Sequence, residues 1–229
     1  MQGRCWSKDV NVKPLFEPYK VLSKKYVNAR YQQELLDELD LYFQEVEETL
    51  AKLNKRFEGT NKARVLTSGG ELPTAALMDY VLKSKGVNSC HIHKESWPII
   101  TDDNYENATP IYEASKKRVD YLVGLLEEGK VISQAGFLGM TSDGLETVLD
   151  RGGSDQVAVF DSCLLKDKYE VDTLLLKETP VQSADPAVVT NQKLRNIRYM
   201  TYNEAVKATI TGMKIVQSAA VRLAREFKL

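Results

Sequence analysis

The stretch Leu149-Asp150-Arg151-Gly152-Gly153-Ser154-Asp155 groups the residue types best suited to chemistry. Arg151 is a planar fork able to hold a carboxylate by two parallel bonds. The adjacent Gly152 and Gly153 let the backbone turn tightly and approach a ligand closely. Residues 156–165 form an amphipathic run that reads as a helix. Its first amides have no partner inside the helix, so they can bind an anion. Ser154 or Asp155 is placed to cap it. The loop thus offers a cation for a carboxylate and a carboxylate for an ammonium, the two halves of an amino-acid site. A capped turn with a surface arginine is the plainer reading of the same residues.

The chain has two histidines, and Cys90-His91-Ile92-His93 places both in one short apolar stretch. Residues 87–93 read as a strand, which would set His91 and His93 on one face. That invites a metal reading. No further ligand cluster is visible in the sequence, so the expectation is that no metal is bound. Two histidines this close together also leave no Ser-His-Asp or Cys-His constellation.

The elements that must position these residues alternate between strand and helix. Residues 30–57 carry the clearest helical stripe, with Leu35, Leu39, Tyr42, Val46, Leu50 and Leu53 three and four apart. Glu48 and Lys52 are spaced for a helical ion pair. Residues 63–67 suit a strand or the end of that helical layer. Ser68-Gly69-Gly70-Glu71 then opens a helix over 72–85, with Pro73 in its first turn and Gly86 at its stop. Residues 111–128 read as one amphipathic helix ended by Gly129. Residues 131–137 read as a strand buried in a parallel sheet, and 172–176 as another strand. Pro14 and Pro18 should break any long helix near the N-terminus, where residues 10–12 suit a short edge strand. The last helix should cover 218–227.

Bulk properties set limits. With 229 residues the chain can bury a full core. Its 31 basic and 32 acidic side chains give a net charge of −1, which suggests neither a nucleic-acid surface nor a membrane surface. No apolar run is long enough to span a bilayer, and residues 1–6 lack the apolar core of a signal peptide. Cys5, Cys90 and Cys163 are few, odd in number and widely spaced, which suits a reducing cytoplasm better than a disulfide framework.

The loop at 150–155 resembles the Gly-Arg-Gly-Gly-Ser-Asp signature of aspartokinases, within the amino-acid kinase family. Four more segments fit that family in the same order: Ser68-Gly69-Gly70-Glu71, residues 134–139, Ser183-Ala184-Asp185-Pro186, and Tyr202-Asn203-Glu204-Ala205 running on to Gly212-Met213-Lys214. The resemblance implies a three-layer α/β/α sandwich with a mostly parallel central sheet, covering residues 30–229 after a divergent segment at 1–29. It implies ATP-dependent phosphorylation of the L-aspartate β-carboxylate, with ATP and Mg2+ as cofactors and a homodimer as the assembly. Glu71, Arg151, Gly152, Gly153, Ser154 and Asp155 would then bind the substrate, Asp155 and Lys214 would act in catalysis, and Lys177, Asp185 and Lys214 would hold the nucleotide. No counterpart of the family's ACT regulatory domains follows, so control by end products through that site is not expected.

The departures cluster on the nucleotide side. Aspartokinases begin with a Lys-Phe-Gly-Gly-Thr-Ser loop that cradles the phosphates, and residues 1–60 contain none. Lys13-Pro14-Leu15-Phe16 is no substitute, since it lacks glycine and its proline has no amide. Asp150 replaces a glycine, Leu176 and Lys177 stand at the family's Thr-Asp pair, and Pro180 stands at the next glycine. Gln182 and Ala187 stand where a tyrosine and an arginine are expected, and Gln217-Ser218 where a His-Pro pair is expected. Three readings follow. One is a divergent aspartokinase. The second is a catalytically silent homologue that binds aspartate or a similar molecule as a sensor, or in a hetero-complex with an active kinase. The third is a site for another anionic metabolite, with Asp150 helping to bind magnesium.

Overall fold

The computed structural model describes residues 11–53, 57–178, 180–184, 189, 194–213 and 216–229. The chain divides into two compact units, Met1–Asp150 and Arg151–Leu229.

The first unit opens with two helices, α1 (Lys13–Tyr26) and α2 (Ala29–Ala51). α1 forms despite its prolines, and Asn11 and Val12 are not a strand. Pro14 falls in the first turn, where no intrahelical donor is needed. Pro18 lies inside the helix and forfeits a bond. Packing compensates, because Phe16 and Tyr19 stack on Phe43 of α2 with ring centroids 3.7 and 5.8 Å apart. α2 is capped by the Asn28 side chain, which accepts from the Arg30 amide at 3.1 Å. Its expected stripe is the core-facing one, with Leu35, Leu39, Tyr42 and Val46 buried and Leu50 and Leu53 half-buried. The Glu48–Lys52 pair forms at 3.1 Å.

Residues 59–84 form one helical run, α3 (Gly59–Leu66), a π-helical turn (Thr67–Glu71) and α4 (Leu72–Ser84). Residues 63–67 are therefore not a strand, and the Ser-Gly-Gly-Glu motif is a wide turn inside a helix rather than a loop before one. Thr67 and Ser68 are fully buried there, so the turn is held by packing. π-turns of this kind recur at functional sites. β1 (Ser89–His91) pairs in parallel with β2 (Val131–Ser133). Between them, the expected single helix is two, α5 (Tyr112–Lys116) and α6 (Val119–Glu127), split where the Ser115 hydroxyl accepts from the Ile100 amide at 2.8 Å. β2 is shorter and more open than a buried parallel strand, because among the described residues it pairs only with β1, and the chain turns further on at Phe137 with φ 36°. β3 (Leu138–Met140) then pairs antiparallel with β4 (Glu146–Val148) and bridges Ile100 in parallel. The fully buried Trp97 donates its indole N–H to the Leu138 carbonyl at 3.1 Å.

The second unit holds α7 (Gly153–Leu165), α8 (Tyr202–Ile210) and α9 (Ser218–Phe227). Thr201 and Glu204 form a capping box at α8, and the Gln217 side chain caps α9. The expected strand at 172–176 makes no ladder among the described residues, and Leu174 and Leu176 are more than 80% exposed. The run has strand composition, but a strand needs a neighbour to pair with.

Candidate functional site

In the first unit, the expected ammonium-binding Glu71 closes the π-turn. Its Oε2 accepts from the Gly136 amide at 2.7 Å. The fold thus joins two of the motif segments, 68–71 and 134–139. An ionised carboxylate has about four lone-pair sites, so capacity for a ligand donor remains. Phe137, next to that amide, sits at φ 36°, a conformation that costs energy for a side-chain-bearing residue and that clusters at ligand sites. Tyr19 of α1 donates its hydroxyl to the Gly70 carbonyl at 3.0 Å, so the N-terminal helix supports the same turn. Behind it, Ser68 donates to Glu45 at 2.6 Å. Arg64 grips the buried Glu146 with two bonds of 3.1 and 2.8 Å, and Lys94 ion-pairs with Glu45.

In the second unit, Gly152 is the N-cap of α7 with φ 84°, so the N-cap position has no side chain to offer the helix. The expected cap from Ser154 or Asp155 is not made. A side chain at 152 would be strained, and its Cβ would lie 2.9 Å from Gln217 Cγ. Arg151 and Ser154 are exposed, and Gly153 is buried. The Asp155 carboxylate faces its own unit instead, accepting from Lys177 Nζ at 2.6 Å and from the Gln217 amide at 3.1 Å. The substrate-side loop and one expected nucleotide residue therefore meet at Asp155. Asp185 and Lys214 lie outside the described residues. An apolar cavity in this unit is lined by Val181, Ile197, Tyr199, Met200, Val216 and Val221. At about 180 Å³ it is below the roughly 300–1,000 Å³ of pockets that enclose a whole drug-sized ligand. It has room for a flat ring.

The cysteines offer no activated thiol among the described residues. Cys90 and Cys163 are unbridged, and burial pushes the Cys163 thiol up to about 11.

One cluster in the first unit joins the two histidines to carboxylates that their spacing in the chain does not reveal. His91 Nδ1 lies 2.8 Å from Asp79 Oδ2, and His91 Nε2 lies 2.6 Å from Glu38 Oε1. Burial alone would depress the His91 pKa, but its bonds to Asp79 and Glu38 outweigh that and push it up to about 9. Glu38 and Asp79 arrive from α2 and α4, far from the histidines in the chain. The faint sequence signal was a carboxylate, Glu38, four residues before Tyr42 on the edge of the buried stripe.

The sequence matches the model of the amino acid kinase family over residues 22–229. It is 30% identical over 167 residues to the aspartate kinase of Pseudomonas putida, a match covering 72% of this chain and 38% of that protein. It is 29% identical over 181 residues to the aspartokinase of Geobacillus stearothermophilus, covering 79% of this chain and 42% of that protein. The chain therefore spans about two fifths of the length of these curated relatives. Among solved structures, Escherichia coli aspartokinase III in complex with aspartate and ADP superposes with a TM-score of 0.70 at 22% identity, over 96% of this chain and 48% of that one. The same enzyme in complex with lysine and aspartate gives 0.72 at 23% identity, over 96% and 49%. At such identities the structural likeness speaks for the fold, an α/β sandwich with helices flanking parallel strands. Together with the family match, it establishes that this chain belongs to the amino acid kinase family.

Proposed function

We propose that the chain is an aspartokinase-type member of the family that binds L-aspartate and Mg-ATP and phosphorylates the aspartate β-carboxylate, in a cytoplasmic amino-acid biosynthetic pathway. The observation that carries this reading is the convergence on Asp155 of the Arg-Gly-Gly-Ser-Asp loop and Lys177. Arg151 holds the substrate α-carboxylate by its fork. The amides of Gly153 and Ser154 and the left-handed Gly152 allow close approach of the ligand. Asp155 and its partner Lys177 orient the acceptor and offset phosphoryl charge, and Asp185 and Lys214 complete the nucleotide side. The cavity lined by Val181, Ile197 and Val216 suits an adenine ring.

The chemistry fits a site without a histidine. A β-carboxylate oxygen attacks the γ-phosphorus, the bond to ADP breaks, and an acyl phosphate forms. No proton is removed from the acceptor, so the site needs cations and positioning rather than a general base. Mg2+ carried on the nucleotide supplies charge neutralisation at the phosphates.

A second reading is favoured by a specific observation. Residues 11–53 contain no glycine, and 13–26 are a helix, so that region provides no phosphate-cradling loop. Losing even one phosphoryl-stabilising group costs about 100-fold or more in rate. In this reading the chain is a silent homologue that binds aspartate as a sensor or as the partner of an active kinase. Calorimetric titration with L-aspartate and, separately, with Mg-ATP distinguishes the two, followed by trapping of the acyl phosphate with hydroxylamine. Binding of both with trapped product supports the kinase, and binding of aspartate alone supports the silent homologue. Binding of neither overturns both.

A further inference from the structure

We propose that Glu38, His91 and His93 form a site for a divalent transition-metal ion, Zn2+ by its donor set, with Asp79 as the outer carboxylate that orients His91. None of the residues proposed above for aspartate or nucleotide takes part. Glu38 comes from α2, His91 ends β1, and His93 follows two residues later. Glu38 Oε1 lies 2.6 Å from His91 Nε2 and 3.6 Å from His93 Nδ1, and the three ligand atoms all lie within 4.8 Å of one another. Zinc bonds of about 2.0–2.2 Å place tetrahedral ligand atoms about 3.3–3.6 Å apart. The observed spacing reaches that geometry with small side-chain rotations.

The surroundings are built for one nitrogen to ligate. Asp79 is fully buried and accepts from His91 Nδ1 at 2.8 Å, and it is itself fixed by Ser89 Oγ at 2.6 Å and Lys83 Nζ at 2.9 Å. A carboxylate on Nδ1–H orients the ring in the outer-shell arrangement of histidine ligands, and the Nε2 proton bonded to Glu38 leaves to solvent when an ion takes its place. Tyr42 donates its hydroxyl to Glu38 Oε1 at 3.0 Å and fixes the carboxylate. Lys83 balances Asp79, and Glu34 and Glu95 lie close enough to Tyr80 and Tyr42 to add negative charge, so the site's field favours a cation.

A histidine satisfied between two carboxylates would account for His91 alone. It leaves His93 unexplained. That side chain is 54% exposed, its ring stands 4.3 Å from the His91 ring, and its Nδ1 faces the same glutamate oxygen. The exposure gives an ion its entry path and leaves a fourth position for water. Two imidazoles and one carboxylate favour Zn2+, Co2+ or Ni2+ over Mg2+ and Ca2+. A bound ion would clamp α2 to β1.

The test uses the whole chain, stripped with a chelator and titrated with Zn2+ by calorimetry and with Co2+ by visible absorption. One ion per chain with micromolar or tighter affinity and a tetrahedral cobalt spectrum are expected. His93→Ala, at an exposed position where folding is not at risk, should weaken binding by about tenfold or more. Cys90→Ser should leave it unchanged, and Mg2+ should not compete. The absence of saturable binding, or equal affinity in His93→Ala, overturns the site.

Discussion

Asp155 accepts from Lys177 on one oxygen and from the Gln217 amide on the other, so its charge is engaged within its own unit. Arg151, four residues earlier, is exposed. Arg151→Ala should therefore abolish the heat of L-aspartate binding and leave the circular dichroism spectrum unchanged. Retained affinity would remove Arg151 from the site. A different residue pair sets an acid limit. Burial raises the Glu146 pKa, but the bonds and charge of Arg64, with help from Lys94, outweigh it and hold the carboxyl below its usual 4.5. A carboxyl whose folded pKa is depressed contributes stability above its unfolded pKa, and this is lost as pH falls through the folded value. Urea midpoints should thus drop on going from about pH 7 to about pH 4, and Glu146→Gln should reduce the size of that drop. At neutral pH Arg64→Ala should cost about 3 kcal/mol, since it strips the main partner from a carboxylate whose side chain is only 5% exposed.

At the scale of elements, β3 and β4 depend on Gly139. A Cβ there would sit 2.3 Å from Thr101 Cγ2 and 2.8 Å from Thr147 Oγ1, two side chains already hydrogen-bonded at 2.7 Å. Gly139→Ala should cost about 1–3 kcal/mol in thermal unfolding, and an unchanged melting temperature would show that the pair yields freely. α2, α4, α7 and α9 were legible because a 3.6-residue apolar period is a local property of the chain. α1 was not, because the contacts that offset Pro18 come from Phe43 on another helix. The run at 172–176 misled for the converse reason, having strand composition but no ladder. The π-turn could not be read from Ser68-Gly69-Gly70-Glu71, since glycines there suggest a loop and only burial of Thr67 and Ser68 keeps them helical.

At the scale of the whole molecule, the family resemblance implies a homodimer, and a long apolar stripe such as that at 35–53 serves either a core or a partner. Leu35, Leu39 and Val46 are fully buried within the first unit, so these side chains of the stripe pack into its core. Ligand linkage provides a test on the intact chain. L-aspartate at about 100 times its dissociation constant should stabilise the fold by about 2.7 kcal/mol, read as a rise in melting temperature that Arg151→Ala abolishes. A rise that persists in the variant would place aspartate elsewhere.

The sequence by itself determined the family, through five motif segments in order, and most helices, because both signals are carried by residues close together in the chain. It also showed a helix-borne carboxylate in Glu71 and, separately, the chemistry-bearing residue types of the 151–155 loop. Only the tertiary structure decided which of them meet. It put the Gly136 amide on Glu71, 65 residues away, and Lys177 on Asp155, 22 residues away. It also brought Glu38 to His91 across 53 residues. The spacing of residues along a chain says nothing of such pairs, because they are set by how helices and strands pack around a shared core.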